Sequence, residues 1–467
     1  MMSRFIAAGA VMAALALPSI ALAEDANVQR QLQEMQQRMQ QMEDKLQATN
    51  DQLDSANQRV EEQSQLIEGA GLTETRGATN GLPGFLGEIT IGGWVASSYF
   101  YNLNDPQDHD NGGLGGTNSG LNGRYYPLHP DHNSFALDQA WWEIEKPISE
   151  EARGGFRFDV AYGKTAAQLG GPNNRGSNDD SAFYIAQGYV QYLAPIGDGV
   201  TFKMGKFSTP IGVEVPQTVY NWNITRSAVW ALLQPVDHIG ITAGYKFGDS
   251  GFDAMIGGVN GFTADDPDVN DAKSVLGHVG WTGDKASASL NGIWGGETVG
   301  NDGNQTGLID AIVKFNPTER LAMWVNGDYR WFDQHDQAAW GVEAAARFAI
   351  TEATGISVRG EYVADVDQAL AFCGLANGSS RDMCANSSLY GTAATGVSLW
   401  GLTATLDHLL TDHLMVRGEV RYDTITKDNA SDREFFNNSS NDGPSLNSDQ
   451  IVVGVEAIYN FNKFGGE

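Results

Sequence analysis

The sequence predicts an all-β chain, a 16-stranded antiparallel transmembrane β-barrel preceded by an N-terminal α-helical coiled coil. Three observations carry that class. From Gly87 to Phe461 apolar residues recur with a period near 2, as in strands with one greasy face. The links between these segments alternate short and long. Beyond the N-terminus no stretch approaches the roughly 20 apolar residues of a spanning helix, so strands must do any crossing.

The first element is MMSRFIAAGAVMAALALPSIALA: a basic Arg4, an apolar run, and Ala21-Leu22-Ala23 before Glu24. This is the pattern of a signal peptide over 1–23. Export bears on the two cysteines, Cys373 and Cys384. In an oxidising compartment the pair is expected as a disulfide closing one polar loop, not as a metal pair or a reactive thiol. The formal charge of −29 argues against a nucleic-acid partner.

Residues 24–68 form the second element. Leu32, Met39, Leu46, Leu53, Val60 and Ile67 occupy one heptad column, and Val28, Met35, Met42, Thr49, Ala56 and Gln63 the other. Gln, Glu, Asp and Arg fill the positions between. A seam this regular on an otherwise polar segment favours self-association, with the number of helices left open by Thr49 and Gln63. The stretch over 69–86 follows as a flexible linker.

Sixteen strands are expected at about 87–101, 133–147, 154–164, 183–194, 199–207, 237–247, 251–260, 272–282, 286–296, 306–316, 321–332, 338–350, 354–365, 395–409, 414–426 and 448–461. APIGDG, GDSG, TGDK, NPTER and LTDH join strands tightly. Links over 102–132, 165–182, 208–236, 366–394 and 427–447 run long. An outer-membrane barrel has this asymmetry, with periplasmic turns and larger outer loops, and an even strand count leaves both termini in the periplasm with the tail over 462–467. Closure removes the strand edges that lipid cannot satisfy. A soluble propeller is disfavoured because no four-strand repeat is present.

If the apolar parity meets lipid, the other parity faces a lumen. It carries Arg157, Lys203, Lys246, Lys314, Arg330, Arg347, Arg359, Arg417 and Arg421, with Glu143, Glu145, Asp159, Asp253, Asp310, Asp328, Glu343, Glu361, Glu419 and Glu456. A charge facing lipid near the midplane would cost about 2–4 kcal/mol, which assigns these residues inward as pore-lining. Any one of them can instead serve a salt bridge that stiffens the wall. Five arginines fall on strands eleven to fifteen, making one sector arginine-rich.

A sixteen-stranded ring leaves water at its centre unless a loop fills it. The 208–236 link, with Trp222, Trp230, Leu232 and Leu233, is the candidate filler. Folded inward, it would place Glu214 and Arg226 at a constriction opposite the arginines, sorting solutes by charge. The alternative is a loop packed over a neighbouring subunit or the lateral wall. Acidic tips such as DPQDHDN and TADDPDVND lack EF-hand spacing, so no metal site is expected. No GxSxG, HExxH or phosphate-binding glycine loop occurs, so neither catalysis nor a cofactor is expected.

Three stretches, SFALDQAWWEIEKPI, GGFRFDVAYGKTA and GKFSTPIGVEVPQTVYNWNITRSAVWALLQPVDHIGITAGY, resemble the OmpL-like β-barrel porins. With the coiled coil added, the whole is similar to the DcaP-type trimeric porins within that group. The resemblance implies a homotrimer of water-filled barrels in outer-membrane lipid, passing small hydrophilic, often anionic solutes by diffusion, with 208–236 as the constriction. A different function for the same architecture is an envelope-tethering or adhesive protein, its coiled coil contacting peptidoglycan and its barrel acting only as an anchor.

Overall fold

The computed structural model describes residues 88–105, 128–129, 131–169, 183–262, 268, 270–298, 301–333, 337–364, 397–427, 436–440 and 443–464, with isolated positions 37 and 40. The signal peptide, coiled coil, linker and Cys373–Cys384 disulfide expected from the sequence lie outside these residues.

The strands are β1 (Thr90–Asn102), β2 (Ser134–Lys146), β3 (Gly154–Tyr162), β4 (Phe183–Ala194), β5 (Val200–Ser208), β6 (Asp237–Lys246), β7 (Phe252–Val259), β8 (Ser274–Thr282), β9 (Ala286–Thr298), β10 (Asn301–Thr318), β11 (Leu321–Phe332), β12 (Gln337–Ala349), β13 (Thr354–Ala364), β14 (Val397–Leu409), β15 (Leu414–Lys427), β16 (Phe436–Ser440), β17 (Gly443–Asn447) and β18 (Asp449–Asn460). Sixteen of them close into one antiparallel barrel in which each strand pairs with its neighbours in sequence, β15 pairs with β18, and β18 closes the ring on β1. The remaining two, β16 and β17, form a separate hairpin within the link from β15 to β18.

Alternation explains the wall. On β18, Ile451, Val455 and Tyr459 are exposed, whereas Val452, Glu456 and Ile458 are buried. Phe135, 84% exposed, marks the same outward face on β2. A single row of large apolar side chains around a closed sheet is what hydrocarbon solvates. No helix among the described residues is long and apolar enough to cross a membrane.

Two differences from the sequence concern the ends of strands. β10 begins at Asn301, paired with Thr298 of β9, where a loop is expected up to residue 305. The connections at the long-loop end are therefore not uniformly long, since only 299–300 and 333–336 separate β9 from β10 and β11 from β12. A hairpin can continue through polar residues because both faces are solvated above the membrane, so the hydrophobic period fades before the pairing does.

The interior is partly solid. Trp94, Phe100, Trp141, Val363, Leu399, Ile425 and Val452, all buried, surround Ile224 and a short helix in one cluster. Phe207, Val259, Leu276, Ile293 and Leu308 form a second cluster with Ile211. Each large apolar side chain so buried contributes about 1.5–3 kcal/mol. Both clusters form around residues of one segment, the link between β5 and β6.

Candidate functional site

The link over 209–236 leaves β5 and returns to β6, and its ends are clasped by Thr209 N–H donating to the Val236 carbonyl, 3.2 Å. It contains helix α2 (Ala228–Leu233), AVWALL, whose six residues are all buried. A helix apolar all round has to be enclosed. Ser227 caps it, its Oγ accepting from Trp230 N–H at 2.9 Å. Gln234 ends it as the C-cap and Pro235 comes next, where a helix cannot continue. Gly212 has φ of 87°, and a Cβ there would stand 2.0 Å from Gln234 Oε1, so this crossing of the segment on itself requires glycine.

Polar groups of the barrel wall hold the segment in place. Glu419 on β15 accepts from Ile224 N–H at 2.6 Å, Thr225 N–H at 3.0 Å, Thr225 Oγ1 at 2.5 Å and Thr405 Oγ1 at 2.7 Å. Arg359 on β13 donates to Glu214 Oε1 at 2.5 Å and to the Thr225 carbonyl at 2.6 Å. Arg417 pairs with Glu456 and donates to the Asn221 carbonyl at 2.8 Å. Arg421 pairs with Glu361 and Asp423 and donates to the Arg226 carbonyl at 2.5 Å. Glu361 in turn accepts from Ala228 N–H at 2.9 Å, and Glu214 from Ser227 N–H at 2.6 Å. These bonds satisfy helix-start amides that have no partner within the helix.

On the far side, Gln139 of β2 donates to the Pro216 carbonyl at 2.7 Å and accepts from Thr218 N–H at 3.1 Å. Tyr220 donates to Glu143 at 3.0 Å. Burial, with Glu143 beside it, raises the phenol above its usual range. Arg226 ties the segment to itself, donating to the carbonyls of Val215, Ile224 and Pro216. Burial lowers its guanidinium to about 10, against the pull of Glu214, so it stays charged at neutral pH.

The link therefore folds into the lumen and covers the wall from β11 through β15 and β18 to β2. This changes what the inward charges do. Arg359, Arg417, Arg421, Glu343, Glu361 and Glu419 face inward but are buried. Glu214 and Arg226, expected at a water-filled constriction, are buried at 5% and 2% exposure. The physical reason is that an inserted loop needs acceptors for its amides and donors for its carbonyls, and all of these charged groups except Glu343 supply them. Arg330 is likewise buried, its guanidinium over the Phe262 ring at 3.9 Å. Arg347 pairs with Asp407 at 2.7 Å, and Arg157 with Glu143, Glu145 and Asp159.

Three of the expected cations differ from these. Lys203, Lys246 and Lys314 have no carboxylate within ion-pair distance among the described residues, and Lys203 sits over the Tyr189 ring at 4.5 Å. All three belong to the β5–β10 arc. Gln139, Thr218 and Trp324 also shape the lumen, yet an isolated Gln, Thr or Trp in a strand pattern carries no signal of that role. No group of three or more His, Cys, Asp or Glu among the described residues could hold a metal ion.

A family model described as "Putative beta-barrel porin-2, OmpL-like" matches residues 88–461. The chain belongs to this β-barrel porin family. Membership makes this porin an outer-membrane channel. No curated protein matches its sequence. Among solved structures it is similar to the outer membrane channel DcaP of Acinetobacter baumannii, at 11% identity over 80% of this chain and 97% of that one, with a TM-score of 0.49. It is also similar to an anion-selective porin from Comamonas acidovorans, at 13% identity over 80% and 99% of the two chains and a TM-score of 0.49. Pseudomonas putida OprB matches at 11% identity over 81% and 95%, also with a TM-score of 0.49.

Proposed function

We propose that this porin is a passive diffusion channel for small hydrophilic solutes with a preference for anionic, carboxylate-bearing ones. The observation that carries the preference is the split among inward cations. Arg359, Arg417 and Arg421 are neutralised by buried carboxylates in holding the loop, whereas Lys203, Lys246 and Lys314 have no carboxylate within ion-pair distance among the described residues. An ammonium with no carboxylate in ion-pair contact raises the anion concentration beside it. Chloride and carboxylates then pass along the β5–β10 side, with Lys203 and Lys314 lining the route and the Glu214–Arg226 segment acting as a fixed partition.

The test is the reversal potential of the full chain in planar bilayers under a salt gradient. Replacing Lys203 and Lys314 by methionine is expected to shift permeability toward cations. An unchanged ratio would reject the lysine assignment. A second function, envelope tethering with the barrel as anchor only, is favoured by the two apolar clusters inside the lumen. Absence of steady conductance would support it.

The heptads over 24–68 support self-association through a coiled coil in the periplasm, within reach of peptidoglycan, and the likeness to DcaP-type trimeric porins makes that oligomer a homotrimer. Deleting 24–68 is expected to weaken the oligomer, and a deletion variant that remains trimeric would reject that role. Non-reducing electrophoresis before and after alkylation tests the Cys373–Cys384 disulfide.

A further inference from the structure

Between the inserted segment and the β10–β11 hairpin lies a pocket of about 320 Å³, near the short-turn end of the lumen. Ligand pockets span about 300–1,000 Å³, so this one suits a small ring compound rather than an extended chain. Two indoles dominate it. Trp222 comes from the segment and Trp324 from β11, with centroids 6.2 Å apart and planes inclined at 38°. The inclination makes a wedge between the two faces instead of a closed stack. Trp324 and Lys314 are directly opposite each other across the β10–β11 ladder and both line the pocket, so an ammonium without a carboxylate partner among the described residues stands beside an aromatic face.

Apart from Lys314 and the Asn316 side chain, the polar groups around the wedge are already engaged. Asn221 accepts from Val215 N–H at 3.0 Å and donates to the Val215 and Gln217 carbonyls. Asn223 donates to Thr405 Oγ1 at 2.7 Å, and Tyr220 to Glu143. Glu214 is taken up by Arg359 and Ser227. A hydroxyl-rich solute such as a sugar needs several open donors and acceptors, and beyond Lys314 this lining offers only the Asn316 amide. A flat apolar ring needs only the indole faces, and a single carboxylate needs only the lysine.

We propose that this pocket is a binding subsite for small ring-bearing carboxylates, the ring wedged on Trp222 and Trp324 and the carboxylate paired with Lys314. The proposal rests on the conduction of small anions and adds a site with affinity along the route. Trp222 belongs to the partition and Trp324 to the wall, so an occupant here bridges the two and narrows the passage.

The test uses the full chain and benzoate. In planar bilayers benzoate is expected to interrupt the chloride current at concentrations where acetate, which lacks the ring, and benzyl alcohol, which lacks the charge, do not. Trp222→Ala and Lys314→Met should each raise the half-blocking concentration by about tenfold, the loss of one stacking face or one charge-assisted contact. Trp222→Phe, which keeps an aromatic face in the partition, should retain the block. Steady conductance with benzoate no more effective than acetate would overturn the subsite while leaving the channel intact. Equal block by gluconate would overturn the ring preference. Should the barrel pass no current, the channel function fails by itself, and the subsite is read from quenching of tryptophan fluorescence by benzoate in detergent. Quenching reduced by Lys314→Met supports the subsite, and its absence in the parent chain overturns it.

Discussion

The Arg359 guanidinium stands 2.5 Å from the Glu214 carboxylate, joining β13 to a loop residue 145 positions earlier in the chain. Arg359 is 0% exposed, so neither charge can exchange its partner for water. Removing one member of a buried pair strands the other, at a cost of about 3–5 kcal/mol. Arg359→Met is therefore expected to loosen the inserted segment without unfolding the wall. Trypsin should then cleave at Arg226, and single-channel conductance should rise. Retained protection of Arg226 would show that the pair does not hold the loop.

Glu419 gathers two backbone amides and two hydroxyls onto one carboxylate. Glu419→Gln keeps the shape but removes the charge and turns one oxygen into a donor facing donors. A hydrogen bond to a charged group contributes about 1.5–3 kcal/mol, so the amides of Ile224 and Thr225 should exchange with deuterium faster than in the parent chain. Unchanged exchange at both amides would count against the nest.

Val455 lies on the outward face of β18, 54% exposed, between Glu456 and Gly454 of the inward parity. Val455→Arg places a cation against hydrocarbon and is expected to destabilise the barrel by about 2–4 kcal/mol, measured as a shift in the urea unfolding midpoint in lipid vesicles. The same substituent at an exposed turn residue, Glu352→Arg, should leave the midpoint in place.

Outside the wall, Lys463 near the C-terminus pairs with Asp412 of the β14–β15 turn at 2.9 Å. The hydrogen bond and charge of Lys463 hold the Asp412 carboxyl below its ordinary 3.8, and Asp412 raises Lys463 above 10.5. A lowered acid contributes fully above its unfolded value and loses that contribution as pH falls through the folded one. The raised base contributes fully below 10.5 and loses it as pH rises through its folded value. The contact is therefore expected to persist from pH 4 to 10 and to fail on both sides, read as exchange of the Phe464 amide, which donates to the Asp412 carbonyl. Both groups are exposed, so the global melting temperature should not follow.

Much of the wall is legible in the sequence because a sheet solvated by lipid on one side has to alternate. Strand bounds such as 183–194 and 321–332 coincide with the structure. The parity of Val452, Glu456 and Ile458 follows from the same rule, although it does not reveal that Val452 and Ile458 are sealed in an apolar cluster inside the ring. The fate of the arginines is not legible. Arg417 and Arg421 appear in the pattern as a charged wall, yet their partners, Glu456 and Glu361, lie on other strands, and the carbonyls they cap belong to a segment nearly 200 residues away. Long-range pairing leaves no local period. Helix α1 (Lys164–Leu169) and the β16–β17 hairpin are likewise silent, being too short for a period to register.

The seam of the ring lies between its first and last strands, Trp94 facing Asn460 and Asn102 facing Val452. A nascent chain therefore cannot seal itself while it is still being made: until the last strand, Asp449–Asn460, arrives, β1 has an open flank and nothing to zip against. Truncation before Asp449 leaves β1 and β15 with raw borders, so the last strand acts as the clasp of the ring.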